Sequence, residues 1–243
     1  MRGQVIDRAA YTIARTPDDP SYYHGNQLVL PAPPRAGEVG LWTRRFAEEI
    51  GADPQIRHVS LRWDGVAGDP GARVELEAAG FVLETDQVMT AGAIVAPPAV
   101  GVELRPLDAR ELPATAELAF LDGTVHDDAY RAFLMRRAAW QQLLVASGRA
   151  MWWGAFDGDA LVGSLGLVAL GGRSRYQDVQ TRASHRRRGI ASALLAAAAA
   201  ALLEAGELVI VVAPESEAAR VYARVGFTPV ERVVSACRAP QPG

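Results

Sequence analysis

Six consecutive residues, Arg186-Arg187-Arg188-Gly189-Ile190-Ala191, stand between a strand-like stretch and a strongly helical one. Upstream, Tyr176-Gln177-Asp178-Val179-Gln180-Thr181 reads as a strand; downstream, residues 192–203 are almost all Ala and Leu, the best helix formers in water. A loop that enters a helix there presents unpaired backbone N–H groups, with the positive end of the helix dipole behind them. Such a terminus suits an anion, a phosphate or pyrophosphate above all. Gly189 lets a ligand approach the backbone closely and permits a positive φ, while Ala191 keeps the first helical turn thin. The arginines add charge for phosphate oxygens. Taken alone, three arginines before an Ala-rich helix also fit a solvated surface turn.

A second element follows at a fitting distance. An apolar strand at 208–213 leads to a short helix at 215–224 and then to Tyr222-Ala223-Arg224-Val225-Gly226-Phe227. Strand, glycine loop, long helix, strand, short helix with Tyr, then Gly-Phe: over residues 102–236 this order resembles the GNAT superfamily of N-acetyltransferases. The resemblance implies an α/β fold and acetyl-CoA as cosubstrate. In that family an Arg/Gln-x-x-Gly-x-Gly/Ala loop holds the pyrophosphate, which assigns donor binding to Arg186, Arg187, Arg188, Gly189, Ile190, Ala191 and Ser192. It further implies that the strand before the loop, through Val179 and Thr181, holds the pantetheine arm. The tyrosine four residues before Gly-Phe commonly protonates the leaving thiolate, a role that falls to Tyr222.

Acetyl transfer from a thioester to an amine needs a held donor, a deprotonated amine, a stabilised oxyanion and a protonated thiolate. A phenol of pKa ~10 is neutral at pH 7 and can donate to sulfur; Tyr222 also fits a core tyrosine on a short helix. Asp178 lies three residues before Thr181, where many family members place a glutamate that accepts the amine proton, often through water. Strand alternation predicts Asp178 and Gln180 on one face, with Val179 and Thr181 on the other. An ordinary carboxylate on a strand surface explains Asp178 equally well. His126, Asp127 and Asp128 form another polar cluster, read as a solvated helix N-terminus. One departure from the family is Glu215, seven residues before Tyr222, where Asn is common. It brings negative charge toward a phosphate ligand unless Ser216 supplies the polar contact.

Composition sets the outer limits. The chain has 243 residues, 49% of them hydrophobic and 22% charged, in the range of an ordinary globular protein and long enough for two units of ~100–200 residues. A net charge of −3 offers no global field for a polyanion, so nucleic acid is not an expected partner. The single Cys237 excludes an internal disulfide and fits a reducing cytoplasm. The opening residues lack a signal-peptide core, and the longest apolar run, 190–203, is too short to span a membrane. Four histidines are scattered without metal-ligand spacing, so no metal is expected.

Ala96-Pro97-Pro98-Ala99-Val100-Gly101 reads as a boundary. The expected organisation is a degenerate GNAT-like lobe at 1–96, a catalytic lobe at 101–236 and a disordered tail at 237–243. In the second lobe, strands are expected at 102–107, 151–156, 160–170, 176–181, 208–213 and 230–236, with helices at 114–121 and 127–146. The first lobe resembles a worn repeat of the second, as in tandem GNAT proteins: a helix at 39–50, a strand at 57–63, then a helix ending in Gly80-Phe81. Leu76 stands where Tyr222 stands in the second lobe. The stretch where a phosphate loop belongs, Pro31-Ala32-Pro33-Pro34-Arg35-Ala36-Gly37, has three prolines with no N–H to offer. The expected fold is thus two GNAT-like lobes, each a mixed, mostly antiparallel sheet flanked by helices, packed as an internal pseudo-dimer in a monomer. The expected activity is acetylation of a primary amine on a small molecule. Acetylation of a protein or peptide amine, and acyl-CoA binding without turnover, are the alternatives.

Overall fold

The computed structural model describes residues 3–202 and 206–240. It contains eleven strands and six α-helices in the order β1 (Gln4–Arg8), β2 (Tyr11–Arg15), β3 (Gln27–Leu30), α1 (Val39–Glu49), β4 (Val59–Trp63), α2 (Arg73–Ala78), β5 (Val82–Ala91), β6 (Glu103–Pro106), α3 (Leu112–Asp122), α4 (Asp128–Ala146), β7 (Ala150–Asp157), β8 (Ala160–Ala169), β9 (Arg173–Thr181), α5 (Ile190–Ala200), β10 (Glu207–Val212), α6 (Glu217–Arg224) and β11 (Thr228–Arg238). Leu203, the expected end of the apolar run, lies outside the described residues. No helix among the described residues is long and apolar enough to cross a membrane.

Two compact units emerge, and their limits differ from the expected 1–96 and 101–236. The first comprises residues 1–87 and 231–243, the second residues 88–230. The reason is strand membership. The second half of β11 pairs antiparallel with β4, Ser235 opposite Arg62 and Arg238 opposite Val59, so the C-terminal strand completes the first unit. Residues 88–91 of β5 belong to the second unit, next to β10. The expected disordered tail at 237–243 is corrected in the same way: Cys237 and Arg238 are ladder residues of β11, and only 241–243 lie outside the described residues.

In the second unit the strand order is β5-β10-β9-β8-β7-β6. The β6 to β9 run is antiparallel, and β9 pairs parallel with β10 across α5. The β7–β8 hairpin turns at Asp157-Gly158-Asp159, with Gly158 at φ 60. Helix α5 buries Ile190, Leu194, Leu195 and Ala198 against Val162, Leu165 and Tyr176 of the sheet. That apolar face fixes where the N-terminus of α5 points.

The first unit repeats the same local plan. Strands β3 and β4 are parallel and joined through α1, as β9 and β10 are joined through α5. Phe81 N–H donates to the Leu76 carbonyl at 3.0 Å, and Phe227 N–H to the Tyr222 carbonyl at 3.1 Å. Gly80 and Gly226 take φ of 83 and 110 at the same point, values that favour glycine. The Leu76/Tyr222 correspondence read from the sequence is therefore also a correspondence of backbone geometry.

Candidate active site

Helix α5 starts at Gly189, which adopts φ 79 and serves as the N-cap. Arg187, two residues earlier, is also left-handed at φ 62. A Cβ built at Gly189 meets only Val100 Cγ1, at 3.5 Å, so a side chain there would project into open space instead of protein. That open space is a cleft of about 610 Å³. Val179 and Thr181 of β9 line it, as do Arg186, Arg187, Gly189, Ile190, Ala191 and Ser192 of the loop and first helical turn. Eight residues assigned to donor binding from sequence are thus brought together.

The arginines divide among three tasks. Arg186 donates Nε–H to the Thr181 carbonyl at 3.1 Å and lies 3.8 Å from Asp122. Arg188 does not line the cleft, which corrects its expected place beside the donor. Its guanidinium lies 3.8 Å from Asp157 on the β7–β8 turn, a carboxylate that His185 Nε2 also meets at 3.1 Å. Arg187 lines the cleft with no carboxylate partner among the described residues, so its charge is available there. Across the cleft, α6 contributes Arg220 and Arg224, which the loop motif gave no means of finding.

The cleft fits acetyl-CoA on two independent grounds. Gly189 and the free first-turn amides of α5 form a cradle that a Cβ would fill. The Thr181 hydroxyl, in the cleft wall, is buried without a hydrogen-bond partner, and such a group calls for a polar partner from a ligand.

Asp178 sits on a bulge. Ser164 pairs with Gln180 but Gly166 pairs with Gln177, so β9 carries one extra residue opposite Leu165. Asp178 takes φ 53 at this point, a left-handed conformation that Asp tolerates better than most residues. The bulge breaks the strict alternation expected from sequence, and Val179, Gln180 and Thr181 all line the cleft together. Gln180 locks the bulge by donating Nε2–H to the Thr115 carbonyl at 3.0 Å and to Ser164 Oγ at 2.8 Å.

Beside the cleft lies a smaller cavity of about 200 Å³, which shares Ala119, Val179 and Gln180 with it and has Asp178 in its wall. Gln141 donates Nε2–H to Asp178 Oδ2 at 2.7 Å, and Arg137 donates Nη2–H to Oδ1. Burial raises the Asp178 pKa above the usual carboxylate range; Arg137, Arg175 and Gln141 oppose that shift without cancelling it. Arg137 and Gln141 were not singled out from sequence. Their spacing of four on α4 puts them on one face, but only the bulge places an acid opposite them.

Tyr222 lies elsewhere. Its ring is in the core of the second unit, 6% exposed and edge-on to Phe227, and it lines neither cavity. Burial pushes its pKa up to about 12, so the phenol stays protonated at neutral pH. Its helix neighbours Glu217, Ala218, Arg220, Val221 and Arg224 line the cleft instead. Ser216 caps α6, accepting from Ala219 N–H at 3.1 Å, and Glu215, at φ 61, is not part of the cleft lining. Asp127 caps α4 by accepting from Tyr130 N–H at 2.7 Å, in line with the helix N-terminus read at His126-Asp127-Asp128.

In the first unit, the stretch that corresponds to the donor loop is satisfied from within. Arg35 N–H donates to Glu38 Oε2 at 2.9 Å and Gly37 N–H to Glu75 Oε2 at 2.7 Å. Carboxylates of the chain take these two loop amides.

A bulge in β9 beside the parallel β9–β10 pair, and a left-handed glycine opening a helix onto a cleft lined by arginines, make up the site. Residues 121–236 match the acetyltransferase (GNAT) domain family. The general reaction of that family is acetyl transfer from acetyl-CoA to an amine. Among solved structures, a functionally unknown conserved protein from Staphylococcus epidermidis ATCC 12228 superposes with TM-score 0.77 at 13% identity, over 98% of this chain and 95% of that one. A GCN5-related N-acetyltransferase from Kribbella flavida superposes with TM-score 0.66 at 17% identity, over 99% and 90%. A tandem GNAT protein from the clavulanic acid biosynthesis pathway gives 0.58 at 17% identity, over 96% and 83%. These likenesses establish the fold. No curated protein matches the chain in sequence.

Proposed function

We propose that residues 88–230 bind acetyl-CoA in the cleft at the start of α5 and transfer its acetyl group to a primary amine of a small molecule. The observation that carries this reading is the junction of two cavities: an anion cradle with an unpaired Arg187 at one end, and a narrow polar cavity with Asp178 at the other, joined along Val179 and Gln180. The donor supplies an activated acyl carbon. The chain supplies first-turn amides of α5 and Arg187 for the diphosphate, and the backbone of Val179 and Thr181 for the arm.

Asp178 is the proton acceptor for the amine, directly or through water. Its raised pKa makes it a better base than an ordinary surface carboxylate. Tyr222, neutral at pH 7, is the proton donor to the thiolate; its burial requires the thiol end of the donor to reach the α6 side of the cleft. The small cavity supports a small-molecule acceptor over a protein surface, since about 200 Å³ accommodates little beyond the amine and its immediate substituents. The test is release of free thiol from acetyl-CoA in the presence of a panel of small amines and of lysine-bearing peptides. Turnover confined to small amines supports the reading; turnover confined to peptides overturns the acceptor class.

A further inference from the structure

The wall of the small cavity holds more hydrogen-bonding capacity than its internal bonds use. A guanidinium has five N–H donors in a planar fork. Arg137, which lines the cavity, donates one of them to Asp178 and has no other partner among the described residues, although 32% of its side chain is exposed. Each Asp178 oxygen accepts one bond, from Arg137 or from Gln141, and an ionised carboxylate can accept about four in all. A cation and an anion therefore stand side by side, each with unused directions, in a cavity that shares Ala119, Val179 and Gln180 with the donor cleft.

The geometry points to an amphoteric acceptor: a small amine that also carries a carboxylate, of amino-acid size. Its carboxylate takes the spare fork of Arg137 in the two-point geometry that guanidinium favours. Its amino group faces Asp178, next to Val179, which lines both cavities. A plain monoamine would leave the Arg137 fork without a counter-group. Leu134, Ala116 and the Tyr130 ring complete the wall and admit a short aliphatic side chain. The volume of about 200 Å³ falls below the ~300–1,000 Å³ of drug-sized sites, in keeping with a compact acceptor.

In the reaction the amine nitrogen forms a bond to the thioester carbonyl carbon, and the carbon–sulfur bond breaks. The proton lost from nitrogen goes to Asp178, the thiolate gains one, and the products are an N-acetyl amino acid and free coenzyme A. This inference deepens the proposed acetyl transfer and rests on it.

The experiment measures thiol release by the full-length protein at fixed acetyl-CoA, comparing L-alanine with ethylamine and L-leucine with 3-methylbutylamine. A charge-assisted two-point contact favours the carboxylate-bearing member of each pair by ~10–100-fold in kcat/KM. Arg137→Gln is expected to collapse that ratio toward one through the KM of the amino acid, and Arg137→Lys to keep part of it. Equal kcat/KM within both pairs, or a ratio that survives Arg137→Gln in a folded variant, overturns the amphoteric acceptor while leaving acetyl transfer standing. No binding of acetyl-CoA by calorimetry overturns both.

Discussion

Asp178 and Tyr222 show how far a residue type alone determines chemistry. Asp178 is both buried and paired, so its proton affinity is set by a contest between desolvation and the cations Arg137 and Arg175. Desolvation wins, the pKa rises, and the carboxylate proposed to accept the amine proton is lost at a higher pH than an ordinary one as acidity increases. The acid limb of kcat/KM is accordingly expected above the ~3.9 of a free aspartate. Asp178→Asn is expected to lower kcat/KM at neutral pH by ~10²–10⁴-fold and to recover partly as pH rises and more amine is neutral. An unchanged pH–rate profile removes Asp178 from the reaction. Tyr222 presents the opposite case, a proposed proton donor whose pKa of about 12 keeps it neutral at pH 7. Its hydroxyl has no hydrogen-bond partner among the described residues, so Tyr222→Phe strands no buried group and should move Tm little. A thiolate is a fair leaving group, with a pKa near ~8.5 by analogy with cysteine. The expected fall in kcat is ~10–100-fold at constant acetyl-CoA affinity; wild-type kcat in the variant makes the phenol purely structural.

Among the elements, β5 separates what sequence predicts from what only structure reveals. Its residues 88–91 carry Met89 and Ala91, 2% and 5% exposed in the core of the second unit. A chain beginning at Gly101 lacks them, along with the strand that neighbours β10. Removing one buried Met side chain alone costs ~2–5 kcal/mol, a large share of the ~5–15 kcal/mol that holds a domain folded. Such a chain is expected to show no cooperative thermal transition by circular dichroism; a soluble, active and cooperatively melting fragment contradicts this assignment. Most of the second unit was legible because its elements carry strong local signals. The Ala/Leu run of α5, the Asp157-Gly158-Asp159 turn and the Gly-Phe stops all name themselves. The hairpin β1–β2 was not legible: four of the five residues of β1 are exposed, Val5 among them at 79%, so no alternation marks it. Strand exchange at β5 and β11 was equally silent, because Pro97-Pro98 punctuates the chain after β5 without saying which sheet β5 joins. The bulge at Asp178 has no sequence mark either, and it decides which side chains line the site.

For the whole molecule, the two units share a plan and differ where an anion would bind. In the second, the α5 amides open onto a cleft beside an unpaired Arg187; in the first, Glu38 and Glu75 accept from two amides of the matching stretch. With a net charge of −3, the molecule has no global field to gather polyanions, so donor binding depends on this local cradle. The account therefore predicts one donor site per chain. Calorimetric titration of the full-length protein with acetyl-CoA tests it, run in parallel on Gly189→Trp. Gly189 has φ 79 and only Val100 near its missing Cβ, so the indole fills the cleft at a modest backbone cost of ~1–2 kcal/mol. The expected result is a stoichiometry of one for the wild type and no measurable binding to a still-folded Gly189→Trp; two sites per chain, none, or undiminished binding by the variant would contradict the account.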